Sequence, residues 1–155
     1  MADMSQLDQT YNFIMRCFVE TGRAPHYTDI AREFSVSPDD GKGLLHDVIA
    51  VGLPNWLYPE TDLIVSFAPF SNLPTHYKVS IDGDQNWFAQ CGLESVALSW
   101  LFPGKEVRVD APCLATGEPL CFTMRDGIFE SREPDGICMY VDLPFSRWSA
   151  NLPFA

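Results

Sequence analysis

Between Gln6 and Thr21 the apolar residues Leu7, Tyr11, Ile14, Met15, Phe18 and Val19 recur at intervals of three and four. That spacing predicts a helix with one buried face, stopped by Gly22. Past Pro25, the run Thr28-Asp29-Ile30-Ala31-Arg32-Glu33-Phe34 predicts a short helix capped by Thr28. Ser35-Val36-Ser37 turns the chain, and Ser37 with Pro38 in first position opens a third helix. Its buried stripe is Leu44, Leu45, Val48 and Ile49, ending at Gly52. From Trp56 to Asp82 the period shortens. Leu63-Ile64-Val65 and the alternating His76–Ile81 predict strands, Pro59, Pro69 and Pro74 punctuate the stretch, and Asp82-Gly83-Asp84 closes it. Short helix, tight turn and longer helix, following another helix, make a helix-turn-helix arrangement. The strands after it suit the wing of a winged-helix-like module, or a linker packed onto the C-terminal half of the chain.

The stretch from Asn86 predicts a further helix, broken at Pro103-Gly104. Short strands come next at Glu106–Val109, Leu120–Met124, Ile128–Glu130 and Ile137–Leu143, separated by Gly- and Pro-containing turns. The expected fold is therefore α+β. A winged-helix-like trihelical module (residues 1–75) precedes a small antiparallel sheet packed with the Cys91 helix (residues 76–155). The tail from Phe145 to Ala155 carries Phe145, Trp148 and Phe154 without a regular period.

Composition narrows the function. A chain of 155 residues that is 46% hydrophobic, 13% aromatic and 20% charged can build one ordinary core, or two small units sharing one. Ten basic residues against 21 acidic ones give a net charge of −11, a field that repels nucleic acid and anionic membranes. The third helix offers DNA only Lys42 and His46, against Asp39, Asp40 and Asp47, so a packing role outweighs base reading. No apolar run has membrane-spanning length, and the polar opening MADMSQLDQ is not a signal-peptide pattern. The expected location is the cytoplasm, where five cysteines are more often free thiols or ligands than a disulfide framework.

The most specific chemistry lies at Cys91 and Glu94. On a helix, this i, i+3 spacing puts a thiol and a carboxyl on one face, within reach of a common ligand. A single helix cysteine is most often an inert core residue, and an exposed helical glutamate is common. Against that, the sequence neighbours Leu93, Val96, Ala97 and Leu98 are apolar, which favours a partly desolvated Glu94 carboxyl, and desolvation makes a carboxyl a proton donor near neutrality. Cys17, Cys91, Cys113, Cys121 and Cys138 are too widely spaced for a closed zinc site, and His26, His46 and His76 are scattered. Two thiolates from different elements would suffice for a soft cation such as Hg(II) or Cu(I). Phosphate-binding loops, nucleophile elbows and zincin motifs are absent from the sequence.

Several segments together resemble the organomercurial (alkylmercury) lyase family. They are Val79-Ser80-Ile81-Asp82, Trp87-Phe88-Ala89-Gln90-Cys91-Gly92-Leu93-Glu94, Phe102-Pro103-Gly104, Val107-Arg108-Val109 and Cys113-Leu114-Ala115-Thr116-Gly117-Glu118-Pro119, with a weaker echo in Glu133-Pro134-Asp135-Gly136. The resemblance implies protonolytic cleavage of a carbon–mercury bond. Cys91 would be the capturing thiolate, and Glu94 the proton donor where the family usually has aspartate. Cys113 would be a structural cysteine buried in the core. The family's second catalytic cysteine lies beyond the segment matching Glu133–Leu143, where this chain has none, and Cys138 is the nearest substitute. Cys91 and Cys138 would then share the mercury transiently. No resident cofactor is implied; free thiols would act as co-substrate for release of Hg(II). The partner would be a small organometallic or thiol-reactive molecule, with neither nucleic acid nor membrane involved.

Two other readings stand beside this one. The same cysteines could bind a soft metal or thiol-reactive ligand without cleaving it, or act on a different substrate. Alternatively the chain could be a winged-helix regulator with a ligand-sensing C-terminal part, which its acidity disfavours.

Overall fold

The computed structural model describes residues 4–139 together with 144 and 147. Three helices come first: α1 (Met4–Thr21), α2 (Tyr27–Glu33) and α3 (Pro38–Ile49). The α2 cap is His26 rather than Thr28. Its ring nitrogen accepts from the Thr28 N–H, and Asp29 accepts the His26 N–H at 3.0 Å, which closes a capping box two residues earlier than the sequence suggests. Ser37 caps α3 as expected, accepting the Asp40 N–H at 3.2 Å with Pro38 behind it. Gly41 lets α2 and α3 pack closely, because a Cβ there would sit 2.7 Å from the Ala31 methyl. Ile14, Phe18, Ile30, Leu45 and Val48 fill the space between the three helices.

Strands β1 (Asn55–Leu57), β2 (Ile64–Phe67) and β3 (Phe70–Ser71) form an antiparallel meander. Then come β4 (Lys78–Ile81), β5 (Asp84–Phe88), the short helix α4 (Gly92–Ala97), a 3₁₀ turn over Leu98–Trp100, β6 (Val107–Pro112), β7 (Pro119–Arg125) and β8 (Ile128–Glu133). The last five strands make one antiparallel sheet in the order β5-β4-β6-β7-β8. The α+β expectation holds. Among its expected strands, Ile137–Met139 are not in a strand, and residues 140–143 lie outside the described residues.

One expectation fails in an instructive way. Asn86–Phe88 is strand, not helix: Val79 pairs with Trp87 and Lys78 with Phe88, and Asp82-Gly83 form the two-residue turn between the strands. Both turn residues have positive φ (50° and 94°), as a type I′ hairpin requires. Helix α4 therefore begins only at Gly92.

The helical part and the five-stranded sheet share one core. Phe18 stacks on Phe70 at 5.1 Å, and Trp87 meets Phe102 edge-on at 5.3 Å. The Phe18 carbonyl accepts from the Gly22 N–H that closes α1 (2.8 Å) and from the buried Trp87 indole (2.7 Å). Gly22 has φ +72°, and a Cβ there would run into the Asn86 carbonyl. The end of α1 is thus fitted against the strand that leads to Cys91. No helix among the described residues is long and apolar enough to cross a membrane.

Candidate active site

The segment from Phe88 to Gly92 is pinned at successive residues. Phe88 pairs with Lys78, and Ala89 bridges Phe70. The Ala89 N–H donates to the Tyr77 carbonyl at 3.0 Å, and its own carbonyl accepts the Thr75 hydroxyl at 2.7 Å. The Gln90 N–H donates to the Pro69 carbonyl at 3.0 Å. With its backbone committed sideways, the chain turns into helix only after Cys91, which becomes the N-cap in extended conformation (φ −152°, ψ 176°). Glu94 sits in the first turn. Thiol and carboxyl are neighbours as the spacing predicts, but across a helix start, not along a helix face.

Burial shifts both groups. Cys91 and Glu94 are both half-buried. Burial pushes the Cys91 thiol up; the N–H groups of Glu94 and Leu93 face the sulfur and pull it back without closing a full cap hydrogen bond, while the Glu94 charge raises it. Desolvation alone pushes the Glu94 carboxyl from 4.5 up to about 7. Its Oε2 is buried with no hydrogen-bond partner in the protein, whereas most buried polar atoms have one. A carboxyl that holds its proton near neutrality, beside a thiol, has the protonation state that general-acid chemistry requires.

Two tyrosines that sequence reasoning missed complete the surroundings. Tyr77 lies against the start of α4: its hydroxyl and ring edge come within 3.4 Å of where a Gly92 Cβ would stand. Burial raises its phenol, the Cys91 charge adds to that, and the Gly92 N–H lowers it. Tyr11 reaches in from α1, packed on Phe67 at 5.0 Å; burial and then the Glu94 charge raise its phenol. No local signal marks either residue, since one helix and one loop deliver them from distant parts of the chain.

The other cysteines lie apart. Cys113 is not buried in the core. It opens an exposed turn after β6, with its N–H donating to the Glu118 carbonyl and its carbonyl accepting the Gly117 N–H, both at 2.7 Å. The Thr116 side chain, then the N–H groups of Thr116 and Ala115, hold its thiol below the usual range. Thr116-Gly117-Glu118-Pro119 turns the chain back into β7 and leaves Cys113 half-buried at the start of the turn. Cys138 is exposed beyond β8 and is not on a strand; Ile137 packs toward the core beside it. Among the described residues, no group of three or more His, Cys, Asp or Glu side chains could hold a metal ion. A surface depression of about 320 Å³ between α1 and α3 is lined by Val36, Asp39, Asp40, Gly43 and Leu44 among others; it contains no nucleophile, so the chemistry favours Cys91.

The alkylmercury lyase family model matches residues 70–152, more than half of the chain and all of the Cys91–Glu94 region. The chain belongs to the alkylmercury lyase family. A solved structure, the mercury-bound form of MerB2, superposes with a TM-score of 0.56 at 19% identity, covering 84% of this chain and 68% of that one. At that identity the likeness shows a shared fold. No curated protein matches the chain. Within the family's matched segment lie Cys91, Glu94, Cys113 and Cys138, and of these Cys91 and Glu94 share the start of α4.

Proposed function

We propose that this alkylmercury lyase family member cleaves carbon–mercury bonds by protonolysis, with Cys91 as the capturing sulfur and Glu94 as the acid. The observation that carries the reading is the Glu94 carboxyl, held protonated to about 7 by desolvation, with its unpartnered oxygen one turn from Cys91. An organomercurial reaches the site as its thiol adduct, R–Hg–SR′. The Cys91 sulfur displaces R′S⁻ at mercury and the Cys91 proton leaves with it, giving Cys91–S–Hg–R and R′SH. Glu94 protonates the carbon, the carbon–mercury bond breaks, and RH departs. A free thiol then gives its sulfur to mercury and its proton to Glu94. A second thiol exchange releases Hg(SR′)₂ and restores the Cys91 thiol. Soft sulfur suits the soft metal throughout, and an acid beside the sulfur spares the carbon a wait for water.

In this scheme the second sulfur comes from solution. Cys138 supplying it is the other route, and Cys138→Ser separates them: turnover at saturating free thiol is retained by the first and lost by the second. The test of the function itself is incubation with an arylmercurial and excess thiol, followed by detection of the arene. Stoichiometric Hg(II) binding without arene would support the binding-only reading instead. Turnover undiminished in Cys91→Ser would sink the assignment of the sulfur.

A further inference from the structure

Three buried side-chain atoms among the described residues have no hydrogen-bond partner within the protein: Glu94 Oε2, Gln90 Oε1 and Asn55 Nδ2. The first belongs to the proposed acid. The other two are not used by that chemistry, yet a short route joins them. Asn55 opens β1 and is only 4% exposed. Its Oδ1 accepts the Ala68 N–H at 2.8 Å, which fixes the amide orientation and leaves Nδ2 as the donor without an acceptor. The next residue, Pro69, accepts the Gln90 N–H at 3.0 Å, and Gln90 is bonded to Cys91.

We propose that Asn55 is a positioning residue for Cys91, acting through Ala68-Pro69 and Gln90, with one water molecule shared by the free Asn55 donor and the free Gln90 acceptor. A buried amide donor and a buried amide acceptor are complementary, and a single water satisfies both. Held from two sides, the residue before the N-cap cannot drift. Cys91 keeps the extended backbone that turns its sulfur toward the N–H groups of Leu93 and Glu94. The other groups facing this corner are the Glu94 carboxyl on α4 and the Tyr77 hydroxyl from the loop before β4, with Tyr11 of α1 facing Glu94. Loosening the anchor takes the sulfur away from the N–H groups, and the thiolate loses their stabilisation.

The inference rests on Cys91 being the working thiol, so its test reads the thiol and not turnover. In the full chain, the rate of iodoacetamide modification at Cys91 is followed against pH by peptide mass spectrometry. The variants are Asn55→Ala, Gln90→Met and the double substitution, with Cys113 in the same samples as internal control. Each single variant is expected to slow Cys91 modification at neutral pH about three- to tenfold, by moving the thiol's midpoint upward by at most about one pH unit. The double variant is expected to be no slower than the slower single one, because both remove the same link. A folded Asn55→Ala protein with an unchanged Cys91 profile, or two effects that simply multiply, would overturn the proposal. Should Asn55→Ala fail to fold, Gln90→Met decides: the Asn55 side-chain amide resonances are expected to shift, and unchanged resonances would overturn it. A protein that shows this coupling but releases no arene would refute the lyase reading and leave this one standing.

Discussion

Replacing Glu94 with glutamine is expected to stabilise the protein while removing its chemistry, and the stabilisation carries a pH signature. The carboxyl ordinarily titrates at 4.5, and desolvation moves it to about 7 in the folded state. Below 4.5 the group is protonated whether the chain is folded or not, and it contributes no difference. Between the two values the folded chain keeps a proton that the unfolded chain has lost, so stability falls as pH rises. Above 7 both forms are ionised and the full cost of a partly desolvated carboxylate is present. For a completely buried group a rise of this size corresponds to ~3 kcal/mol; the half-buried side chain is screened by water, which brings the expectation to about 1–2 kcal/mol. Glutamine never ionises. Thermal melts should therefore coincide near pH 4 and separate progressively to pH 8, where the variant melts about 2–8 °C higher. Arene release by the same variant should drop by roughly 10²- to 10⁴-fold, the usual contribution of a general acid. In the wild-type protein, turnover should decline above pH 7 as the acid loses its proton. A melting difference that is constant from pH 4 to 8 would refute the desolvation argument, and full turnover in Glu94→Gln would refute the assigned role.

Gly22→Ala forces a side chain into a left-handed backbone and into the Asn86 carbonyl. It should cost about 2–4 kcal/mol in denaturant unfolding. Trp87→Phe removes the buried indole donor and part of the core volume, but the Phe18 carbonyl keeps its bond from Gly22, so about 1–3 kcal/mol is expected by the same measurement. Cys113, held low by Thr116, should react with iodoacetamide faster at pH 7 than Cys17, whose thiol burial raises; Thr116→Val should slow Cys113 without touching Cys17.

How much of the fold and site could be read in the sequence depends on how far each signal travels along the chain. Periodicity is local, so α1 and α3 were readable, and Ser37-Pro38 marked a helix start that formed where expected. Asp82-Gly83 is legible too, as an Asp-Gly turn that demands a returning strand, and that strand takes Asn86–Phe88 away from the expected helix. The run Trp87-Phe88-Ala89 gives no period of its own, and its state was decided by pairing with β4 and Phe70. The three-residue separation of Cys91 and Glu94 survived that error because an N-cap and the first turn of a helix are also neighbours, so a correct proximity came from an incorrect element.

The Cys113 turn shows the opposite case. Thr116-Gly117-Glu118-Pro119 states its own turn, and a turn at the end of a strand carries its residues to the surface. Local chemistry there outweighed the family-based placement in the core. The Glu94 environment, by contrast, is assembled from Tyr11 on one helix and from a helix start pinned by Pro69, Thr75 and Tyr77. No window of sequence contains those contacts. The raised Glu94 carboxyl therefore belongs to the packed core and not to α4 alone, and Tyr11→Ala, which opens that core beside the acid, should bring Glu94 back toward the range of an ordinary glutamate, followed by the pH dependence of its side-chain carboxyl resonance.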